Sequence, residues 1–398
     1  MHDHSVDDRA FADEIVVRLR SVLGAGGDAV ALHEPCFSGN EWDYVKECLD
    51  TAWVSSVGKF VDRFERDLCS ITGTAHAVAV VNGTAALHMC LKLAGVEPGD
   101  EVLVPALTFV ATANAVRYCD AFPHFVDVEE RTLGVSPAAL RDHLASIADL
   151  RAGVCFNRRT GRRIRALVPM HTFGHPVDLD GLLPVATEFG LVVVEDAAES
   201  LGSLYRGRHT GNFGCLAALS FNGNKIVTTG GGGAILTNDP DLAWQAKHLT
   251  TTGKISHPWR FDHDVVAYNY RLPNLNAALG CAQLETLPEG IERKRELFRR
   301  YRAAFSGMSG VRVFEEPTDC RSNYWLQALL LDEDRAVVRD EVLAATNAAG
   351  LMTRPAWTPM HYLAPYVGCP RMALPVTESL ARRIINVPSS QQLVGGGA

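Results

Sequence analysis

Ser220-Phe-Asn-Gly-Asn-Lys225-Ile-Val-Thr-Thr-Gly-Gly-Gly-Gly-Ala-Ile-Leu-Thr237 sets one lysine between a serine-led polar run and four consecutive glycines, with an apolar strand-like segment beyond. Glycines this dense let a backbone approach a bound group closely and adopt positive φ without steric cost, so the stretch reads as a site built around Lys225. The competing reading is a glycine-rich surface loop carrying a solvated lysine. Two further stretches bear on the choice. Val192-Val-Val-Glu-Asp196-Ala-Ala-Glu-Ser200 is an apolar strand ending in an acidic pair, with Asp196 placed 29 residues before Lys225. Val80-Val-Asn-Gly83-Thr84-Ala-Ala-Leu87 reads as strand, tight turn and helix start, which leaves free backbone N–H groups and the Thr84 hydroxyl for an anion. Phosphate cup, strand-end aspartate and lysine, in that order, are the parts a pyridoxal phosphate enzyme needs: an anchor, a partner for the pyridine nitrogen and a Schiff-base amine.

Outward from these stretches, short apolar runs alternate with helical patterns: Ala77 to Val81, Val102 to Pro105, Phe125 with Val126, Leu167 to Met170, Leu191 to Val194, Ala217 to Phe221 and Ala234 to Thr237. Runs unbroken by polar alternation suit strands covered by helices on both faces, so the expected fold class is α/β, with a mostly parallel sheet and binding residues at strand ends. Ala86, Met89, Cys90 and Leu93 give the helix after Gly83 a core face. Three segments are expected: an N-terminal helix within residues 1–30, a large cofactor-binding domain over 31–265 and a smaller C-terminal α+β domain over 266–398. The N-terminal helix rests on Phe11, Ile15, Val16, Leu19, Val22 and Leu23, with an exit at Gly24, Gly26 and Gly27. Arg151 to Arg165 reads as a solvated basic hairpin, Gly253 to Val266 as an irregular mobile or interface loop, and Leu275 to Phe305 as one long helix.

The chain resembles the DegT/DnrJ/EryC1/StrS sugar aminotransferases, which have the fold of type I pyridoxal phosphate enzymes. The resemblance runs from about His33 to the C-terminus, through Thr108-Phe-Val-Ala-Thr112, His171-Thr-Phe-Gly-His-Pro-Val-Asp178, Glu195-Asp-Ala-Ala-Glu199 and Tyr268-Asn-Tyr-Arg271. It implies Lys225 as the catalytic lysine and Gly83, Thr84, Phe109, Asp196, Glu199, Ser220 and Asn269 around the cofactor. Phe109 would cover the ring, whereas an isolated phenylalanine is as readily core. Asn269 would come from the second subunit of a homodimer with shared active sites; the alternative is a cap on the helix starting near Pro273. Leu32-His-Glu-Pro35, Gly39-Asn-Glu41, Trp53-Val-Ser-Ser-Val-Gly-Lys-Phe60 and Asn222-Gly-Asn-Lys225 resemble the branch that aminates C4 of a UDP-linked 2-acetamido-2,6-dideoxy-4-keto-hexose, with L-glutamate as donor, on routes to bacillosamine and legionaminic acid. Ser56 and His171 are its expected substrate contacts. The alternatives are a 4-aminotransferase for another nucleotide keto sugar, of the GDP-perosamine type, and a non-catalytic ligand-sensing protein of the same fold. Gly231 stands where many members carry glutamate, a departure that bears on substrate choice.

Net charge −8 and a pI near 6.0 argue against nucleic acid as partner, since a concentrated basic face is missing. The ten cysteines are scattered without a Cys-x-x-Cys pair and read as reduced thiols, which with the acidic start Met1-His-Asp-His-Ser-Val-Asp-Asp predicts a cytoplasmic protein. The longest uncharged run, Leu68 to Leu91, does not qualify as a membrane span; among its residues, Gly73, His76 and Asn82-Gly83 break it. His171 and His175 sit four apart, but Gly174 and Pro176 preclude the helix that would pair them on a metal, and no metal is expected.

Overall fold

A computed structural model describes residues 3–24 and 28–394. Seven strands form the central sheet: β1 (His76–Val80), β2 (Glu101–Pro105), β3 (Phe122–Val126), β4 (Ile164–Leu167), β5 (Val192–Asp196), β6 (Leu216–Ser220) and β7 (Gly233–Thr237). Their order is β1-β7-β6-β5-β4-β2-β3. Strand β7 runs antiparallel to both neighbours, and every other pairing is parallel. Each apolar run in the sequence becomes one strand. The fourth is displaced, because Pro169 ends the ladder and the strand lies at Ile164–Leu167, before most of the expected run.

Helices cover both faces, and the strand residues alternate between them. Val78, Val80, Ala218 and Ile235 join Ala86, Met89 and Cys90 of the Gly83–Leu93 helix in one core. Ala77, Ala79, Ala217, Leu219, Ala234 and Leu236 face a second core with Phe64, Leu68, Ala277, Cys281 and Leu284. Burying each such leucine or phenylalanine contributes roughly 1.5–3 kcal/mol, so this double layer is what fixes the strand ends in place.

The packing divides the chain differently from the expected boundaries at 30 and 265. The helix Asp3–Leu23 buries Phe11, Ile15 and Leu19 against Leu297, Tyr301, Leu329, Leu351 and Ile385, so it belongs to the C-terminal core and is no separate segment. That core also holds an antiparallel sheet of Val311–Val313, Gln327–Leu331, Ile384–Val387 and Arg354–Pro355, in that order. The long helix Asn274–Ala304 serves both parts: Ala277 to Leu287 packs on the central sheet, and Leu297 to Tyr301 on the C-terminal core. Periodicity shows that a helix has an apolar face, not what that face meets. Gly24 ends the first helix at φ +91°, whereas Gly26 and Gly27 of the expected exit lie outside the described residues. The basic stretch forms the hairpin Ala148–Arg151 with Val154–Asn157, and Gly253 to Val266 is a run of turns and bridges.

Candidate active site

Strands β1, β5 and β6 end on the same edge of the sheet, and their following loops close around a cavity of about 340 Å3. Gly83, Thr84, Phe109, Asp196, Glu199, Ser220 and Lys225 all line it. After β1 the chain turns straight into the Gly83–Leu93 helix, capped by Asn82, whose Oδ1 accepts the Ala85 N–H at 2.8 Å. The first turn of this helix, with Gly83 and Thr84, lines the cavity together with Ser220 at the end of β6, and a helix start leaves its leading N–H groups without intrahelical acceptors. The approach is too close for side chains: a Cβ on Gly83 would stand 2.8 Å from Ser220 Cβ, and one on Gly233 would stand 2.5 Å from Asn82 backbone. Gly231, by contrast, has open space where its Cβ would be.

The acidic pair at the end of β5 divides its work. Glu195 turns away, fully buried, and accepts the N–H groups of Gly211, Phe213 and Gly214 at 2.8, 2.7 and 2.7 Å and His171 Nε2 at 3.0 Å. Burial alone would push its pKa up, but these bonds, His171 foremost, hold it below the ordinary carboxylate range. Asp196 turns into the cavity, where Oδ2 accepts the Thr112 hydroxyl at 2.7 Å and Oδ1 the Ala198 N–H at 3.2 Å. Burial raises its pKa, with Thr112, Ala198 and the Lys225 charge pulling the other way. A cation brought beside it would favour its charged form.

Lys225 follows a turn closed by its own N–H on the Asn222 carbonyl at 2.9 Å. Its amine donates to Glu199 Oε1 at 3.1 Å, while Glu199 Oε2 accepts the Phe173 N–H at 2.9 Å. Burial raises the Glu199 pKa, against the pull of Lys225. Phe109 stands half-exposed at the cavity mouth and caps no helix with its side chain. An open helix start, a buried carboxylate with spare lone pairs and an amine thus face one space of cofactor size. This donor set fits pyridoxal phosphate: the helix start, Thr84 and Ser220 for the phosphate, Asp196 for the pyridine nitrogen, Lys225 for the aldehyde carbon.

The model of the DegT/DnrJ/EryC1/StrS aminotransferase family matches residues 35–396. The chain belongs to this family. It is a sugar aminotransferase of that group with pyridoxal phosphate as its cofactor, and its fold is that of the type I pyridoxal phosphate enzymes. A GDP-perosamine synthase of Caulobacter vibrioides is 38% identical over 362 residues, spanning 90% of this chain and 93% of its own. One of Vibrio cholerae is 35% identical over 361 residues, spanning 90% and 94%. The crystal structure of the aminotransferase TlmJ from Streptoalloteichus hindustanus matches with a TM-score of 0.82 at 30% identity, covering 92% of this chain and 94% of that one.

Three of the residues expected at this family's site lie elsewhere in the chain's own fold. His171 is fully buried, with Nδ1 accepting the Val177 N–H at 3.2 Å and Nε2 engaged by Glu195, so neither nitrogen is left for a substrate. It is a strut holding the β5 end, outside the lining of the Lys225 cavity, which corrects the expected substrate contact. Ser56, half-buried, and Asn269, exposed, do not line the Lys225 cavity. Asn269 accepts Arg271 Nε at 3.0 Å, and the helix after it begins behind Pro273 with no side-chain cap, which excludes the capping role. Sequence reasoning missed Thr112, Trp325 and Trp357, which also line the cavity. Thr112 carried a signal, standing one helical turn past Thr108 in a quoted motif; the two tryptophans enter from the C-terminal part with none.

Proposed function

We propose that this chain is a nucleotide-sugar 4-aminotransferase that moves the amino group of L-glutamate to the C4 keto group of a 4-keto-6-deoxy sugar. The observation that carries the reading is the convergence of Lys225, Asp196 and the open helix start on one cavity, in a chain so similar to two GDP-perosamine synthases. Those relatives favour the GDP-linked keto precursor of perosamine over the UDP-linked sugar expected from the His33 and Trp53 motifs. The UDP sugar stays as the second reading on those motifs alone.

Pyridoxal phosphate, when bound, supplies a carbon that holds the amino group between donor and acceptor and a ring that withdraws electrons from it. Lys225 is the base and acid: its amine takes the proton from the donor carbon and returns one on the other side of the transfer. Asp196 would keep a proton on the pyridine nitrogen, and Thr112 with the Ala198 N–H fixes the direction of its carboxylate. Gly83, Thr84 and Ser220 would hold the phosphate, Phe109 would cover the ring, and Glu199 orients the lysine amine. Glutamate leaves as 2-oxoglutarate and the sugar leaves as its 4-amino form.

In this reading the enzyme is a cytoplasmic homodimer, with Asn269 of one subunit completing the phosphate site of the other. Support comes from the exposed Asn269 and from the apolar segment before it, where Trp259, Phe261 and Val266 are 78, 77 and 96% exposed. Among the described residues no helix is long and apolar enough to cross a membrane. The test is turnover of purified GDP- and UDP-linked 4-keto-6-deoxy sugars with L-glutamate, read as 2-oxoglutarate released. A higher kcat/KM for the GDP sugar is expected; preference for the UDP sugar establishes the second reading, and turnover of neither overturns both.

A further inference from the structure

The Lys225 amine has a second neighbour besides Glu199: it lies 3.8 Å from the centre of the Trp325 ring. Trp325 comes from the C-terminal part of the chain, is nearly buried, and has all three of its polar groups bonded. Its indole N–H donates to the Asn224 carbonyl at 2.7 Å, its backbone N–H to Asn323 Oδ1 at 2.8 Å, and its carbonyl accepts Lys294 Nζ at 3.0 Å. Lys294 is itself buried, and its other bond is to the Ser389 carbonyl. Asn323 straps this segment to the loops of the cavity, donating Nδ2 to the carbonyls of Glu199 and Leu201 at 2.9 Å each and its N–H to Ser203 Oγ at 2.9 Å. The strap lies against Gly174, where a Cβ would meet Asn323 Oδ1 at 1.9 Å. Between strap and ring, fully buried Tyr324 sits at φ +48°, a left-handed conformation that a bulky residue keeps only where its surroundings impose it. So many constraints converge on one indole that its place beside the lysine is specified, not incidental.

We propose that Trp325 is a positioning residue for Lys225: its ring face and the Glu199 carboxylate form a berth for the lysine ammonium while the cofactor carries the amino group. A lysine released from its covalent bond is a long, flexible chain with a charge at its end. The ring's negative face and the carboxylate hold that charge from two sides, so the amine stays aimed at the carbon whose proton it moves. The strap through Asn323 and Lys294 makes the C-terminal core part of the lysine's geometry.

The inference rests on Lys225 being the reactive lysine, as read above. Full-length wild type, Trp325→Phe, Trp325→Leu and Trp325→Met, each loaded with pyridoxamine 5′-phosphate, are acetylated with limiting reagent at one pH, and Lys225 modification is read by peptide mass spectrometry against Lys46 and Lys92. Trp325→Leu and Trp325→Met are expected to label roughly two- to tenfold faster than wild type, as loss of a cation–π contact implies, with Trp325→Phe close to wild type. In turnover the same two variants should lower kcat with KM for the keto sugar unchanged. Having both variants guards against one failing to fold. Equal labelling in wild type and the aliphatic variants, or labelling of Trp325→Phe as fast as theirs, overturns the berth. Borohydride reduction of the wild-type pyridoxal phosphate form that leaves the cofactor on a peptide other than that of Lys225 overturns instead the reading of Lys225 itself; cofactor on the Lys225 peptide, with Lys225 labelling unmoved by the aliphatic Trp325 variants, sinks the berth alone.

Discussion

Asp196 shows how one residue's surroundings would decide its service to a cofactor in the proposed reading. Burial raises its pKa, while hydrogen bonds from Thr112 and Ala198 and the Lys225 charge work the other way. Asp196→Asn is isosteric, so the fold should survive, but the anionic partner is lost. A charge-assisted bond in a shielded site is worth on the order of 2–4 kcal/mol, so stopped-flow rates of amino transfer should fall about 30- to 1000-fold; an unchanged rate would move the pyridine partner elsewhere. Lys225 and Asp196 were legible because a lone lysine before four glycines and a carboxylate at a strand end have few other uses. His171 misled for the converse reason. A buried histidine that holds a strand end and one that touches substrate look alike in sequence, and only the bonds to Val177 and Glu195 tell them apart.

Among elements, the junction of β1, β6 and the Gly83–Leu93 helix is the tightest. Gly83→Ala sets a methyl 2.8 Å from Ser220 Cβ, in a place where backbone and strand are both fixed by the sheet. Overpacking of this kind costs roughly 1–3 kcal/mol, and the relief available is to push the helix start away from Ser220. Pyridoxal phosphate affinity, measured by titration of the cofactor-free chain, should drop about tenfold or more at unchanged helical content; wild-type affinity would show that the phosphate sits elsewhere. The strands themselves were readable from unbroken apolar runs. The reversed direction of β7 was not, since a run such as Ala234 to Thr237 reads alike both ways, and its partners β1 and β6 lie far apart in sequence.

For the molecule as a whole, buried histidines, His175 and His209 among them, weaken the fold in acid. Burial lowers His175 to about 3 and His209 to about 4; His209 accepts the Gly202 N–H at 2.7 Å, an interaction a protonated ring would lose. Unfolded histidines titrate near 6.5, so from there down to about 4 the unfolded chain takes up protons that the folded chain refuses. Stability must therefore fall as pH drops through that window, by up to about 1.4 kcal/mol per pH unit for each histidine. Urea midpoints from pH 7 to 4 should show it, with a shallower slope in His209→Gln; a flat profile contradicts it. The proposed shared site has its own test: an inactive Lys225→Ala chain mixed in equal amount with an inactive Asn269→Ala chain should regain about a quarter of wild-type activity on random subunit exchange, because half the dimers are mixed and each of those has one intact site. If Asn269 serves its own chain, every mixed site stays damaged.

The helix Asp3–Leu23 is synthesised far ahead of the surface it packs against, which is built from Leu297 to Ile385. At about 5–20 residues per second, Phe11, Ile15 and Leu19 wait roughly 15–55 s for their partners. Throughout that interval the nascent chain offers a sticky stripe to holding chaperones. Ribosome-stalled chains ending near residue 270 should be cut by trypsin at Arg9, Arg18 or Arg20 far faster than the released protein, and equal protection would mean that the stripe finds an earlier shelter. Synthesis of the C-terminal core, more than completion of the central sheet, is the event that gives this helix its shelter.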